Sequence, residues 1–233
     1  MLNIDSFTTI AFIFTVLLTL AFFYTATGKN KAVFFVLLSW MVIQGSVALT
    51  GFYTVTNTTP PRFALLIAPP MLVIVLLFLL PKGRLLLDKL NTKTLTLMHL
   101  VRIPVELVLF GLFLQGAVPK LMTFEGGNLD ILSGVTAPLV FYFGFIRNKL
   151  NKTVLIIWNL LCLALLFNIV FRAVLSAPFP FQKLAFPTPD IALLYFPFIW
   201  LPCLIVPLVL LAHLVCIRQL VRSSVNQFYQ KDN

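Results

Sequence analysis

Charged side chains are scarce in this sequence, and acidic ones scarcest: seven Asp and Glu stand against seventeen Lys and Arg in 233 residues. A soluble domain is about a quarter charged. Here the charged share is 10% and the hydrophobic share 60%, with a mean hydropathy of +1.02, which excludes a soluble domain. Histidine occurs only as His99 and His213, too few for a di-metal site. Cys162, Cys203 and Cys216 offer neither metal-ligand spacing nor a disulfide framework, and they read as buried apolar thiols. HExxH, GxSxG and Walker-type phosphate loops are missing, so no enzymatic chemistry declares itself by motif. No metal or cofactor is expected.

What is abundant is apolar sequence, in blocks of about 17 to 25 residues. Each is long enough to cross a hydrocarbon core of roughly 30 Å as a helix. Barrel strands would show shorter, alternating segments. The expected fold is all-α and integral to the membrane, with seven transmembrane helices at about 7–27, 32–53, 63–80, 95–117, 131–147, 153–176 and 191–217. No connector exceeds about 15 residues, so residues 1–233 read as one seven-helix membrane domain. The opening "MLNIDSF" lacks the basic region of a cleavable signal peptide, and the first span is expected to be retained.

Basic residues set the expected orientation. Lys29 and Lys31 follow span 1, Lys82, Arg84, Lys89 and Lys93 follow span 3, Arg147, Lys149 and Lys152 follow span 5, and Arg218, Arg222 and Lys231 follow span 7. The alternate connectors hold only Arg62, Lys120 and Lys183, together with Glu125, Asp130 and Asp190. The positive-inside rule then puts the N-terminus outside and the C-terminus in the cytoplasm. The net charge of +10 is thereby assigned to cytoplasmic loops and anionic lipid. Loops this short build no basic groove with stacking aromatics, so nucleic acid is not an expected partner.

Shifted by 128 residues, "PRFALLIAP" (61–69) overlies "PDIALLYFP" (189–197) at two prolines, two leucines and an alanine. "NID" at 3–5 resembles "NLD" at 128–130, and "KNK" after span 1 has a counterpart in "RNK" after span 5. The pattern suggests two parallel units, 1–90 and 126–222, joined by the helix at 95–117, against the alternative of chance matches among common apolar residues. This 3+1+3 plan is similar to that of SWEET-type sugar carriers, in plan alone, with no motif shared residue by residue. The last span contains no lysine, which sets aside a retinal protein.

Span 4 carries the densest polar signal, "MHLVRIPVELVLF". At about 100° per residue, His99, Arg102 and Glu106 share one helical face within an arc of roughly 60°. Glu106 falls near the bilayer middle, where an unpaired carboxylate costs several kcal/mol, and Arg102 one turn earlier is its expected partner. Pro104 cannot donate to the carbonyl of Leu100, which predicts a kink and a free acceptor between the two charges. The alternative is an edge effect, with His99 and Arg102 snorkelling to the headgroups.

Further candidates surround this stripe. Glu125, Asn128 and Asp130 in the outer connector could gather a cation or polar solute; alternatively Asn128 or Asp130 caps span 5 while Gly126 and Gly127 make a turn. The connector is apolar enough to dip back against the bundle. In span 6, Asn168 and Arg172 share a face, and Arg172 could pair with Glu106, Glu125 or Asp130, or snorkel outward. His213 lies at a depth similar to His99, which raises a metal or proton site against two independent buried imidazoles. The prolines of spans 3 and 7 imply bent helices, as gates or as static shapes.

The phrases "HLVRIPVELVLF", "LMTFEGGNLDILSG" and "SAPFPFQ" resemble uncharacterised multi-pass inner-membrane proteins of Bacteroidota-type bacteria. The resemblance covers most of the chain from span 4 onward and implies a bacterial inner-membrane location, with no activity attached. The functional expectation is binding or transport of a small polar or amphiphilic solute, or of protons, through Glu106, Arg102, His99, Arg172 and Asn168. The alternatives are a membrane enzyme acting on lipid or isoprenoid substrates and an accessory subunit of a membrane complex. The expected partners are the lipid bilayer, that solute or proton, and a membrane-protein partner or second copy.

Overall fold

The computed structural model describes residues 4–229, with side chains described through residue 222. Lys231, used above for orientation, lies outside that range. The described residues form helices α1 (Ser6–Ala26), α2 (Lys31–Leu49), α3 (Ala64–Leu79), α4 (Pro81–Asp88), α5 (Thr92–Met98), α6 (Arg102–Leu114), α7 (Ile131–Phe141), α8 (Lys152–Ser176) and α9 (Val206–Tyr229). Five stretches are long and apolar enough to cross a membrane: α1, α2, the α5–α6 unit, α8, and α9 with the turn before it. α3 and α4 make a sixth if their pair, bent by 93°, counts as one. The expected fifth span forms a shorter apolar helix, Ile131–Ile146, ending in a π-helical turn.

Side-chain oxygens close the orphan amides at several helix starts. Asp5 accepts from the Thr8 amide at 2.7 Å, Asn91 from Thr94 at 3.2 Å and Asn151 from Val154 at 2.9 Å. Proline punctuates the rest. Pro81 opens α4, and Gly83 there lies so close to Leu77 that a Cβ would stand 2.6 Å from its carbonyl oxygen. Pro207 cannot donate to the carbonyl of Cys203. The indole of Trp40, from α2, donates to that oxygen at 2.9 Å instead, within a stretch of π-helix at Leu201–Ile205.

The bundle is organised around two helices. In the stretch Leu201–Arg222, 72% of the most apolar window is buried, and in Thr92–Leu114 it is 50%, whereas α2 reaches only 22%. α5 and α6 pack on α1, α7 and α9, and so occupy the centre. Small residues allow close approach, as expected where lipid offers no hydrophobic drive between helices. A Cβ on Gly111 of α6 would stand 2.8 Å from the Thr8 hydroxyl of α1, and one on Gly134 of α7 would stand 2.8 Å from Ile103. The outward faces of α2, α3 and α8 are hydrocarbon, with Val36 68%, Leu161 62% and Phe171 64% exposed. An exterior this apolar suits contact with lipid.

At the end of the bundle that carries α4, Asp88 pairs with Arg218 at 3.0 Å and also with Arg222, while the Gln219 amide donates to the carbonyls of Leu87 and Leu90 at 2.9 Å each. Two of the cations assigned by sequence to lipid contact thus tie α9 to α4.

Candidate functional site

Three ionisable side chains on one face of span 4 become three buried groups with different partners. His99, Arg102 and Glu106 are 0%, 2% and 1% exposed, so none of them snorkels to a headgroup layer. The backbone irregularity falls at His99–Val101, a 3-10 turn in which the Arg102 amide reaches back to the carbonyl of His99. It lies just before Arg102 and not between Arg102 and Glu106 as expected. Pro104 frees the Leu100 carbonyl, and the helix tightens in the turn holding that carbonyl while running regularly from Arg102 onward.

Arg102 does not pair with Glu106. Its Nη1 lies 3.2 Å from Oδ1 of Asp130 and donates to the Cys162 carbonyl of α8 at 3.3 Å. Glu106 is held by Asn128, whose Nδ2 donates to its Oε1 at 2.5 Å and to the Met122 carbonyl at 3.0 Å. The reason is the path of the connector between α6 and α7. After Leu114 the chain turns back into the bundle through two short 3-10 turns, Lys120–Met122 and Phe124–Gly126. Met122, Thr123, Asn128 and Asp130 are all buried. Gly126 permits the fold, since a Cβ there would stand 2.0 Å from the Lys120 carbonyl, and Gly127 adopts φ +87°, a left-handed turn. α7 therefore starts deep, beside Arg102, which accounts for its shortness. Asp130 stands at the cap position but makes no side-chain cap bond; Asn128 instead accepts from the Asp130 amide at 3.1 Å.

Arg172 and Asn168 act elsewhere. Arg172 donates to the carbonyls of Gly126 at 2.9 Å and Leu121 at 3.4 Å, and to Oδ1 of Asn168 at 3.2 Å. It braces the inward connector from α8, and of the carboxylates weighed as its partners none among the described residues pairs with it. A loop of orphan carbonyls packed on α8 satisfies a guanidinium without a counter-charge. Glu125 lies at the surface, 3.5 Å from Lys120. Of the outer-connector candidates, then, Asn128 and Asp130 reach the buried cluster and Glu125 does not.

The two histidines do meet. The rings of His99 and His213 stack 3.8 Å apart at 14°, with Trp158 beside both. Asn159 donates from Nδ2 to the Leu155 carbonyl at 2.8 Å, which turns its Oδ1 toward Nδ1 of His213 at 2.9 Å and makes that nitrogen the donor. Among the described residues, no group of three or more His, Cys, Asp or Glu is placed to hold a metal.

Next to the cluster is a cavity of about 150 Å³. Its wall is hydrocarbon from α3 (Ile67, Met71), α8 (Leu166, Phe167, Val170) and α9 (Val209), and its charged members are Arg102, Glu106, Asp130 and Asp190. Phe167 is 56% exposed and Ile67 and Met71 are half-buried, so the cavity reaches the flank of the bundle between α3 and α8. Asp190 is the member that sequence reasoning passed over, counting it only among the outer charges. It is 1% exposed, its amide donates to the Ser176 carbonyl at 2.9 Å, and its carboxyl has no side-chain partner and lies near the Leu193 amide. Burial pushes its carboxyl up to about 8. The available signal was local: in "PTPDIALLYFP" an acid abuts an apolar run with no basic neighbour. Oε2 of Glu106 and Nε and Nη2 of Arg102 are also buried without partners. Native interiors pair such atoms or hydrate them, so four chargeable groups in one hydrocarbon wall set this cavity apart from the rest of the core.

A family model described as a domain of unknown function (DUF8737) matches residues 60–221, a stretch that contains every charged residue of the cavity. No curated protein and no solved structure matches the chain.

Proposed function

The chain belongs to the DUF8737 family, a domain of unknown function, and from its buried site we propose a membrane-embedded binding or carrier protein for a small amphiphilic solute. The observation that carries this is the cavity: hydrocarbon walls from α3, α8 and α9, with Arg102, Glu106, Asp130 and Asp190 along one side. An apolar pocket with a few convergent polar groups is the usual form of a small-molecule site. Ionisable groups inside a membrane bundle are costly unless function retains them. The inward connector resembles in principle the broken elements of carriers, in which irregular backbone occurs at depth only where protein or a cavity surrounds it.

The same proposal has a topological part. The chain crosses the membrane seven times, with α3 and α4 as one bent crossing and α7 as a short one; the N-terminus is outside and the C-terminus cytoplasmic, in a bacterial inner membrane. The distribution of Lys and Arg supports this orientation, and two parallel three-helix units flank the central α5–α6 helix.

Glu106→Gln tests the function. Glutamine keeps the oxygen that accepts from Asn128 and removes only the charge. The variant should fold and insert yet lose uptake in proteoliposomes of the amphiphile retained by the purified wild type and identified by mass spectrometry. Uptake at the wild-type rate would remove Glu106 from the mechanism.

A further inference from the structure

Resting on the proposal that the cavity receives an amphiphile, we infer that its head group is a cation of the ammonium type, drawn to the acids of the cavity wall, Glu106 and Asp190. The argument is one of matching charges inside the wall. Arg102 already faces Asp130 at 3.2 Å. That leaves Glu106, with one oxygen bound to Asn128 and the other free, and Asp190, whose carboxyl has no side-chain partner and lies near the Leu193 amide. Each is 1% exposed and each lines the cavity.

The cavity wall offers these two acids no further cation, because its contributions from α3, α8 and α9 are hydrocarbon. Arg172 and Arg62, outside the wall, are engaged elsewhere. Arg172 binds the connector carbonyls, and Arg62 donates to the Phe52 carbonyl at 3.4 Å and lies over the Phe52 ring at 4.6 Å. Two acids in such a wall stay neutral by holding protons or are neutralised by a bound cation. An ammonium presents three donors and no acceptor, which suits free carboxylate oxygens. An anionic head could reach the free Nε and Nη2 of Arg102, but it would enter a wall in which three acids, Glu106, Asp130 and Asp190, stand against that one guanidinium. A volume of about 150 Å³ is that of an engineered apolar cavity able to hold benzene. The enclosed apolar part is therefore one ring or a short alkyl chain, with any remainder leaving between α3 and α8.

The test uses the whole protein in nanodiscs and three probes with one eight-carbon tail: n-octylammonium, n-octanol and n-octanoate. Binding is measured by calorimetry against empty nanodiscs. The expected order is ammonium tightest, by about tenfold over the alcohol, and carboxylate weakest. Glu106→Gln and Asp190→Asn should each reduce that preference, and the double variant should remove it, while octanol still binds. Ala173→Trp, which fills the cavity from α8, should remove binding of all three. Octanoate binding as tightly as octylammonium, or more tightly, overturns the inference and makes Arg102 the recognising group. Equal binding of all three probes, abolished by Ala173→Trp, overturns the cationic head while leaving the amphiphile cavity standing. Binding of none overturns both readings. The probe order on the wild-type protein needs no variant to fold.

Discussion

Arg102→Met is the most direct perturbation of the buried cluster. The ion pair it removes is enclosed, with side-chain exposures of 2% for Arg102 and 7% for Asp130, so solvent screening is slight. At 3.2 Å and an effective dielectric of about 20, the lost attraction is about 5 kcal/mol. The hydrogen bond from Arg102 to the Cys162 carbonyl goes with it. Relief comes from two directions: a desolvated guanidinium no longer has to be buried, and Asp130 can take up a proton instead of remaining an isolated charge. The net expectation is a loss of about 3 kcal/mol, within the range found when one partner of a buried pair is removed. Asp130→Leu should cost a similar amount, because it strands the guanidinium. The double variant Arg102→Met/Asp130→Leu replaces both charges by hydrocarbon and should recover to within about 1 kcal/mol of the wild type. Reversible unfolding in mixed micelles, followed by circular dichroism, supplies the full cycle, with an expected coupling of at least about 2 kcal/mol. Additive single losses, or an Arg102→Met protein within about 0.5 kcal/mol of wild type, would show that the pair does not hold α6 to α7.

Two further outcomes are expected. The Asp190 carboxyl, raised by burial to about 8 in the folded protein against an ordinary 3.8, keeps its proton in the native state while the unfolded chain releases it; its contribution to stability is complete below about pH 4 and is lost as pH rises toward 8. Unfolding free energy measured from pH 5 to 8 should therefore fall less steeply in Asp190→Asn than in the wild type, and parallel curves would contradict the buried carboxyl. Reporter fusions after residues 29, 90, 150 and 222 should all report a cytoplasmic location, whereas fusions at 57 and 185 should report the opposite side; one inverted fusion would break the seven-crossing topology.

Several features could be read along the chain because their causes are local. Hydrocarbon blocks of membrane length became α1, α2, the α5–α6 unit, α8 and α9. The spacing of His99, Arg102 and Glu106 placed them on one face, and all three are buried. The connector after span 4 is apolar enough to dip back against the bundle, and it does. What each charge would meet was another matter. Arg102 and Glu106, one turn apart, invited each other, yet Asp130 and Asn128 arrive from the returning connector with better geometry. Arg172 looked like a counter-ion and is a brace for carbonyls. His99 and His213, matched in depth by sequence, stack in fact, since depth along a helix is nearly one-dimensional information.

Composition and periodicity thus determined the solvent, the helices and the polar face of the central one, because hydropathy and the 3.6-residue repeat act within a turn or a span. The folding back of 115–130 and the placement of Asp190 against the same cavity were decided in three dimensions. Both depend on how connectors pack between helices distant in sequence, and a buried carboxyl takes whichever donor that packing delivers.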